Sequence, residues 1–108
     1  MAKPSYAVGQ YTGNTAAINI ELGFVPSRVD IHNWTDANVR FVATRNSATG
    51  AWKTTQVASN GAQTDVSANG VTTYAGVAGV GTDAKRAGIT VGTSLSTDAK
   101  VFTYIAFR

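Results

Sequence analysis

Three residue types that hydrolases combine, Ser27, Asp30 and His32, stand close together in this chain, and His32 is its sole histidine. Nucleophilic acyl transfer needs all three within hydrogen-bond reach, with donors placed to hold an oxyanion. The segment 27–34 alternates as a strand does, which puts Asp30 and His32 on one face and Ser27 on the other. No nucleophile-elbow sequence surrounds Ser27. The expectation is therefore no catalytic residue, with His32 solvated or at an interface.

Metal chemistry fares no better. The chain has no cysteine, and its acidic residues are the lone Glu21 and the dispersed Asp30, Asp36, Asp65, Asp83 and Asp98. That set lacks the spacing of zinc or calcium ligands, so no metal and no cofactor are expected. The run Gly76-Val77-Ala78-Gly79-Val80-Gly81 has its glycines in the wrong order for a dinucleotide fingerprint and lacks the Gly-Lys-Ser/Thr ending of a P-loop. A surface loop is the expectation there. Asn33-Trp34-Thr35 matches a glycosylation pattern, read here as a strand end carrying an aromatic. Trp34 and Trp52 either pack in the core or serve as interface or ligand-stacking aromatics.

These side chains must be positioned by short strands. Residues 16–22 set Ile18, Ile20 and Leu22 against Asn19 and Glu21, and residues 5–11 set Tyr6 and Val8 against Ala7, Gly9 and Tyr11. Gly13-Asn14 between them predicts a two-residue hairpin turn. Gly23-Phe24-Val25-Pro26 predicts a corner, because proline lacks a donor and extends the residue before it. Val29 and Ile31 then face inward, and Val39, Phe41 and Ala43 share a face in the next strand. Asp36-Ala37-Asn38 and residues 46–50 predict loops. Trp52, Thr54 and Gln56 lie opposite Lys53, Thr55 and Val57. Asn60-Gly61 and Asn69-Gly70 predict hairpins around a polar strand at 62–67, followed by a strand at 71–75. Residues 76–88 are the least regular, with Thr82 or Asp83 able to cap one helical turn. Residues 88–92 and 100–108 complete the set, and the last is apolar on both faces, which predicts a central strand. The fold class expected is all-β: a single antiparallel β-sandwich or barrel of about eight strands, covering residues 1–108 with a short N-terminal arm at 1–5.

Composition agrees. A chain of 108 residues with 44% hydrophobic residues supports one core, while a charged fraction of 14% is low. Such a surface suits packing against other subunits, because it loses less on desolvation than one crowded with Lys and Glu. The net charge of +3 comes from scattered cations, with only Lys85-Arg86 adjacent, so direct nucleic-acid binding is not expected. The opening Met1-Ala2-Lys3-Pro4-Ser5-Tyr6 lacks the apolar stretch of a secretory signal and reads as the start of a complete reading frame. No apolar run reaches the ~20 residues of a membrane-spanning helix, and no membrane partner is expected.

The segment Gly23-Phe24-Val25-Pro26-Ser27-Arg28-Val29-Asp30-Ile31-His32-Asn33 resembles a pattern in small β-rich virion proteins of tailed bacteriophages. Gly-Phe-x-Pro leads there into an alternating strand that ends in Asn. Gly23, Phe24, Pro26, Val29, Ile31 and Asn33 carry the match. Gly88-Ile89-Thr90-Val91-Gly92 and residues 101–108 are similar to the closing strands of such domains, while residues 46–81 match nothing in them. The resemblance implies a capsid decoration, or cement, protein. Made in the host cytoplasm, it would bind between subunits of the major capsid protein on the capsid surface as a homo-oligomer, often a trimer. Its arm, with Lys3, Pro4 and Tyr6, would touch the shell. The same pattern occurs in tail-fibre and tail-tip modules, which implies an alternative: binding of a host-surface glycan or receptor, with Trp34 or Trp52 as the stacking platform.

Overall fold

Alternation decides the architecture. In β3 (Arg28–Asn33), Val29 and Ile31 have no exposed surface, whereas Arg28 and His32 are exposed. In β4 (Arg40–Arg45), Phe41 and Ala43 repeat the pattern. The computed structural model describes residues 6–35, 39–58, 60–79 and 85–108. Its remaining strands are β1 (Tyr6–Thr12), β2 (Ile18–Glu21), β5 (Trp52–Val57), β6 (Gln63–Val66), β7 (Val71–Tyr74), β8 (Gly88–Val91) and β9 (Val101–Phe107). A 3-10 turn at Thr93–Leu95 precedes the last strand.

All pairings are antiparallel. One sheet has the order β1-β9-β3-β4-β5-β6, the other β2-β8-β7. The fold is thus an all-β sandwich of two unequal sheets, and the barrel alternative does not apply. Between the sheets, Val29, Ile31, Phe41, Phe102 and Ala106 from the larger meet Val71, Ile89 and Val91 from the smaller. Leu22, Phe24 and Leu95, on the segments that cross between sheets, close the ends of this core.

Two expected hairpins are sheet crossings instead. Gly13-Asn14 does not fold β1 back onto β2: β1 pairs with β9, and β2 lies in the other sheet. Gly13 donates to Lys100 O at 2.8 Å, and the Asn14 N–H bonds Ser96 Oγ at 3.0 Å. A Cβ on Gly13 would overlap the backbone of Ser96 and Thr97, so glycine is required by close approach rather than by hairpin geometry. Asn69-Gly70 likewise carries the chain from β6 to β7 in the second sheet, where Gly70 O accepts from Gly92 N and Asn69 O from Ser94 N. Asn60-Gly61 does form a hairpin: Ala58 N bonds Ala62 O, and β5 pairs with β6.

The last strand, β9, is interior, held between β1 and β3. Its inner residues Phe102, Tyr104 and Ala106 face the second sheet, but that sheet has three strands and covers one face only. The outer apolar residues of β9 are therefore left uncovered. In the segment 76–88, Val77 and Lys85 exchange two backbone hydrogen bonds of 2.9 Å as an isolated bridge. The proposed cap at Thr82 or Asp83, and the loop Asp36-Ala37-Asn38, lie outside the described residues.

Candidate functional site

Register places side chains on the outside of the larger sheet in rows. Tyr6 lies opposite Phe107 and Val8 opposite Ile105, and all four point away from the core. Their exposures are 59%, 39%, 63% and 42%. Directly opposed side chains on one face are close neighbours, so these two pairs form one apolar ladder. On the β3 side the ladder meets charge: Phe107 is opposite Arg28, and Ile105 is opposite Asp30. Arg28 Nε and Asp30 Oδ1 form an ion pair at 3.0 Å.

The ladder ends at an edge. β1 pairs with β9 on one side, and none of the described strands pairs with its other side. Its sequence Tyr-Ala-Val-Gly-Gln-Tyr-Thr carries no charge and no proline, two of the features that protect an edge. The opposite edge, β6, is four residues long and bears Asp65. Among the described residues, one edge of the larger sheet is thus shielded, and the other presents unpaired backbone beside exposed apolar side chains. That arrangement is suited to adhesion.

The motif residues position this surface rather than forming it. Gly23 turns at φ +86°, and its N–H bonds Ala87 O. Phe24 and Pro26 are buried at the corner, where Pro26 O accepts from Arg45 Nε at 2.9 Å. Val29 and Ile31 fill the core, and Asn33 is buried with its N–H on Val39 O. Tyr6, expected in an arm, is the first residue of β1. Lys3 and Pro4 lie outside the described residues.

Ser27, Asp30 and His32 do not form a site. The Ser27 hydroxyl faces Phe107 O at 3.4 Å, Asp30 is paired with Arg28, and His32 is exposed in a row with Arg40 and Thr103. Among the described residues, no three His, Cys, Asp or Glu side chains converge. The shifted phenols are structural: burial pushes the Tyr11 hydroxyl well above its ordinary value and that of Tyr104 in the same direction.

The two tryptophans part company. Trp34 is 70% exposed at the end of β3, its N–H on Val101 O, so it is not a core residue. Trp52 is half-buried against the core, and its indole Nε1 donates to Thr73 Oγ1 of the other sheet at 2.9 Å. An open groove of about 650 Å³ runs past Trp52 between the β4–β5 turn and β6. A second, of about 370 Å³, runs past it towards β7. The sequence left Trp52 open between core packing and an interface or ligand role, and it could not reveal a groove assembled from residues 44–46, 51–53 and 65–67. Comparison of the chain with family models, with curated proteins and with solved structures finds no match.

Proposed function

We propose that the chain is a structural protein of a tailed-bacteriophage particle: a head decoration protein that binds between subunits of the major capsid protein and stabilises the shell. The observation that carries this reading is the uncovered ladder Tyr6–Phe107 and Val8–Ile105 beside the unprotected β1 edge. Burying such a side chain contributes about 1.5–3 kcal/mol when the exposed reference is complete, and less here, where each is already part-covered. A strand added at β1 would also satisfy its free backbone groups, the mode of recognition known as β-augmentation. The low charge of the chain reduces the desolvation cost of such a contact. The resemblance of the Gly23–Asn33 segment to virion proteins supports the setting.

In this reading the protein performs no catalysis, and its mechanism is linkage. A protein that binds the assembled lattice, and not the dissociated subunits, shifts the equilibrium towards the lattice by mass action. Several copies acting as a homo-oligomer, with a trimer the expected form, would multiply that effect through avidity.

The test is direct. Purified protein added to expanded capsids that lack it should bind at saturating stoichiometry and raise their disruption temperature. No binding and no change in that temperature would reject the reading. A tail-fibre or tail-tip module would instead leave head stability untouched and lose receptor binding when it is altered.

A further inference from the structure

We infer that β1 pairs antiparallel with β1 of a second copy, about a two-fold axis between their Gly9 residues, so that two six-stranded sheets run on as one. The resemblance implies association by threes and names no surface for it. This contact is isologous and closes at two, so a trimer would need another surface. It concerns the edge beside the ladder and holds whether or not the protein meets a capsid.

The outward backbone groups fix the register. Gly13, one step past β1, donates to Lys100 O at 2.8 Å and accepts from Ala99 N, so its groups face β9. Strand alternation then turns the N–H and C=O of Ala7, Gly9 and Tyr11 towards β9, and those of Tyr6, Val8, Gln10 and Thr12 outward. Val101, opposite Thr12, agrees: its own groups are committed on the β3 side, to Trp34 N and Thr35 Oγ1. An antiparallel copy centred on Gly9 sets Tyr6 opposite Thr12 of the second copy, and Val8 opposite Gln10. Each such pair exchanges two hydrogen bonds, so every outward group of both strands is satisfied. Centring on Val8 would leave Thr12 without a partner, and centring on Gln10 would leave Tyr6.

The chemistry of the edge selects a second copy as its occupant. β1 carries no charge, so nothing on it repels its own image. The Arg28–Asp30 pair lies on β3, two strands in from the edge. Its image would stand five strand spacings away, about 24 Å, well beyond the reach of screened charge. Gly9 has no side chain at the axis, where opposed backbones approach to about 4.5 Å. Tyr104 lies across it: a Cβ on Gly9 would be 2.5 Å from the Tyr104 hydroxyl. That hydroxyl makes no hydrogen bond among the described residues. Pairing brings the two Tyr104 hydroxyls face to face across the axis, each able to donate and to accept. A foreign strand would leave them unmatched. On the outer face Val8 becomes a diagonal neighbour of its own image, which joins the two apolar ladders.

The experiment uses the whole chain without capsids, so its failure and the failure of the virion reading are separate results. A seven-residue strand pair buries less than the ~1,200 Å² of a stable complex, so sedimentation equilibrium runs from about 10 μM to about 1 mM. The mass should climb from one chain towards two and stop there. The protein has no cysteine, so introduced thiols report the register. Val8→Cys and Gln10→Cys, made separately and mixed under mild oxidation, should cross-link to each other. Residues opposed in a hydrogen-bonded pair lie about 5.5 Å apart, within disulfide reach. Either variant alone should cross-link about tenfold more slowly or less, because like positions are diagonal at about 7–8 Å. Gln10→Lys, at an exposed position, should weaken the pair about fivefold or more by setting two ammonium groups diagonally, and high salt should restore part of the loss. A protein that stays monomeric over the whole range, as it would if the edge takes only a foreign strand or residues 1–5, would overturn the inference. So would a mass of three chains, or single-variant disulfides that form as fast as the mixed one.

Discussion

Tyr11 stacks on Phe102 with ring centroids 5.0 Å apart and planes 7° from parallel, directly across the β1–β9 pair. The Tyr11 hydroxyl reaches past the stack and donates to Leu95 O at 2.8 Å. One side chain therefore ties the edge strand, the interior strand and the 3-10 turn between β8 and β9 into a single cluster. Without it, β1 would be held to the molecule by ladder hydrogen bonds and Ala7 alone on its inner face.

That cluster makes stability fall in alkali. Burial raises the Tyr11 phenol above its ordinary value of about 10, and Tyr104 shifts the same way. Below pH 10 folded and unfolded phenols are both protonated, and the full contribution is present. As pH climbs further, the unfolded chain releases protons that the folded chain retains, so stability drops until the folded phenols titrate. Tyr11→Phe should remove much of that slope. At neutral pH it should cost about 1–2 kcal/mol, because Leu95 O loses its donor. Urea unfolding at pH 7 and pH 11 measures both effects, and identical alkaline slopes in the two proteins would contradict the assignment.

Much of the sandwich was legible in the residues. Val29 and Ile31, or Phe41 and Ala43, alternate with polar neighbours, and alternation reports burial wherever one face of a sheet is covered. Gly13-Asn14 and Asn69-Gly70 misled because turn chemistry is local, whereas the choice between hairpin and sheet crossing is made elsewhere. Ser96 and Thr97 receive the first, and Gly92 and Ser94 receive the second. The outer ladder was hidden for a related reason. Ile105 and Phe107 belong to a strand whose two apolar faces predict a central place, and β9 is central, but the three-stranded partner sheet covers only one of its faces. The Trp52 cleft was legible only as an aromatic, since its walls come from segments that meet solely in the folded chain.

Gly13 offers a sharp check of the first crossing. Its missing Cβ would lie about on top of Thr97 O, and the obstacle is backbone rather than a movable side chain. Gly13→Ala should cost more than about 3 kcal/mol, in the range reserved for overpacking and strain. Denaturant melts would show it, and a loss below about 0.5 kcal/mol would mean that the chain does not cross as described.

Ser96 tests the same crossing through hydrogen bonds. It is fully buried, accepts from Asn14 N at 3.0 Å and donates to Asn14 Oδ1 at 3.2 Å. Ser96→Ala should cost about 1–3 kcal/mol by leaving the Asn14 N–H without its acceptor. Combining it with Asn14→Gly should cost less than the two single changes added together, because the residues share one network. Strict additivity in a double-mutant cycle would show that they act separately.

The ladder can be discharged without harming the fold, provided the new charges respect the register. Val8 faces Ile105, and Ile105 also neighbours Asp30 on β3. Two like charges at positions 8 and 105 would repel each other, and an acid at 105 would repel Asp30. Val8→Glu combined with Ile105→Lys avoids both problems, because the lysine lies between two carboxylates. Both positions are more than a third exposed, so the melting temperature should change little, with stability within about 0.5 kcal/mol of the parent. Charge on β1 would also shield its free edge. If the ladder is the contact surface, the double variant should fold normally, fail to bind expanded capsids and leave their disruption temperature where it was. Capsid binding at parental strength by this variant would remove the ladder from the interface and leave adhesion to another face of the sandwich.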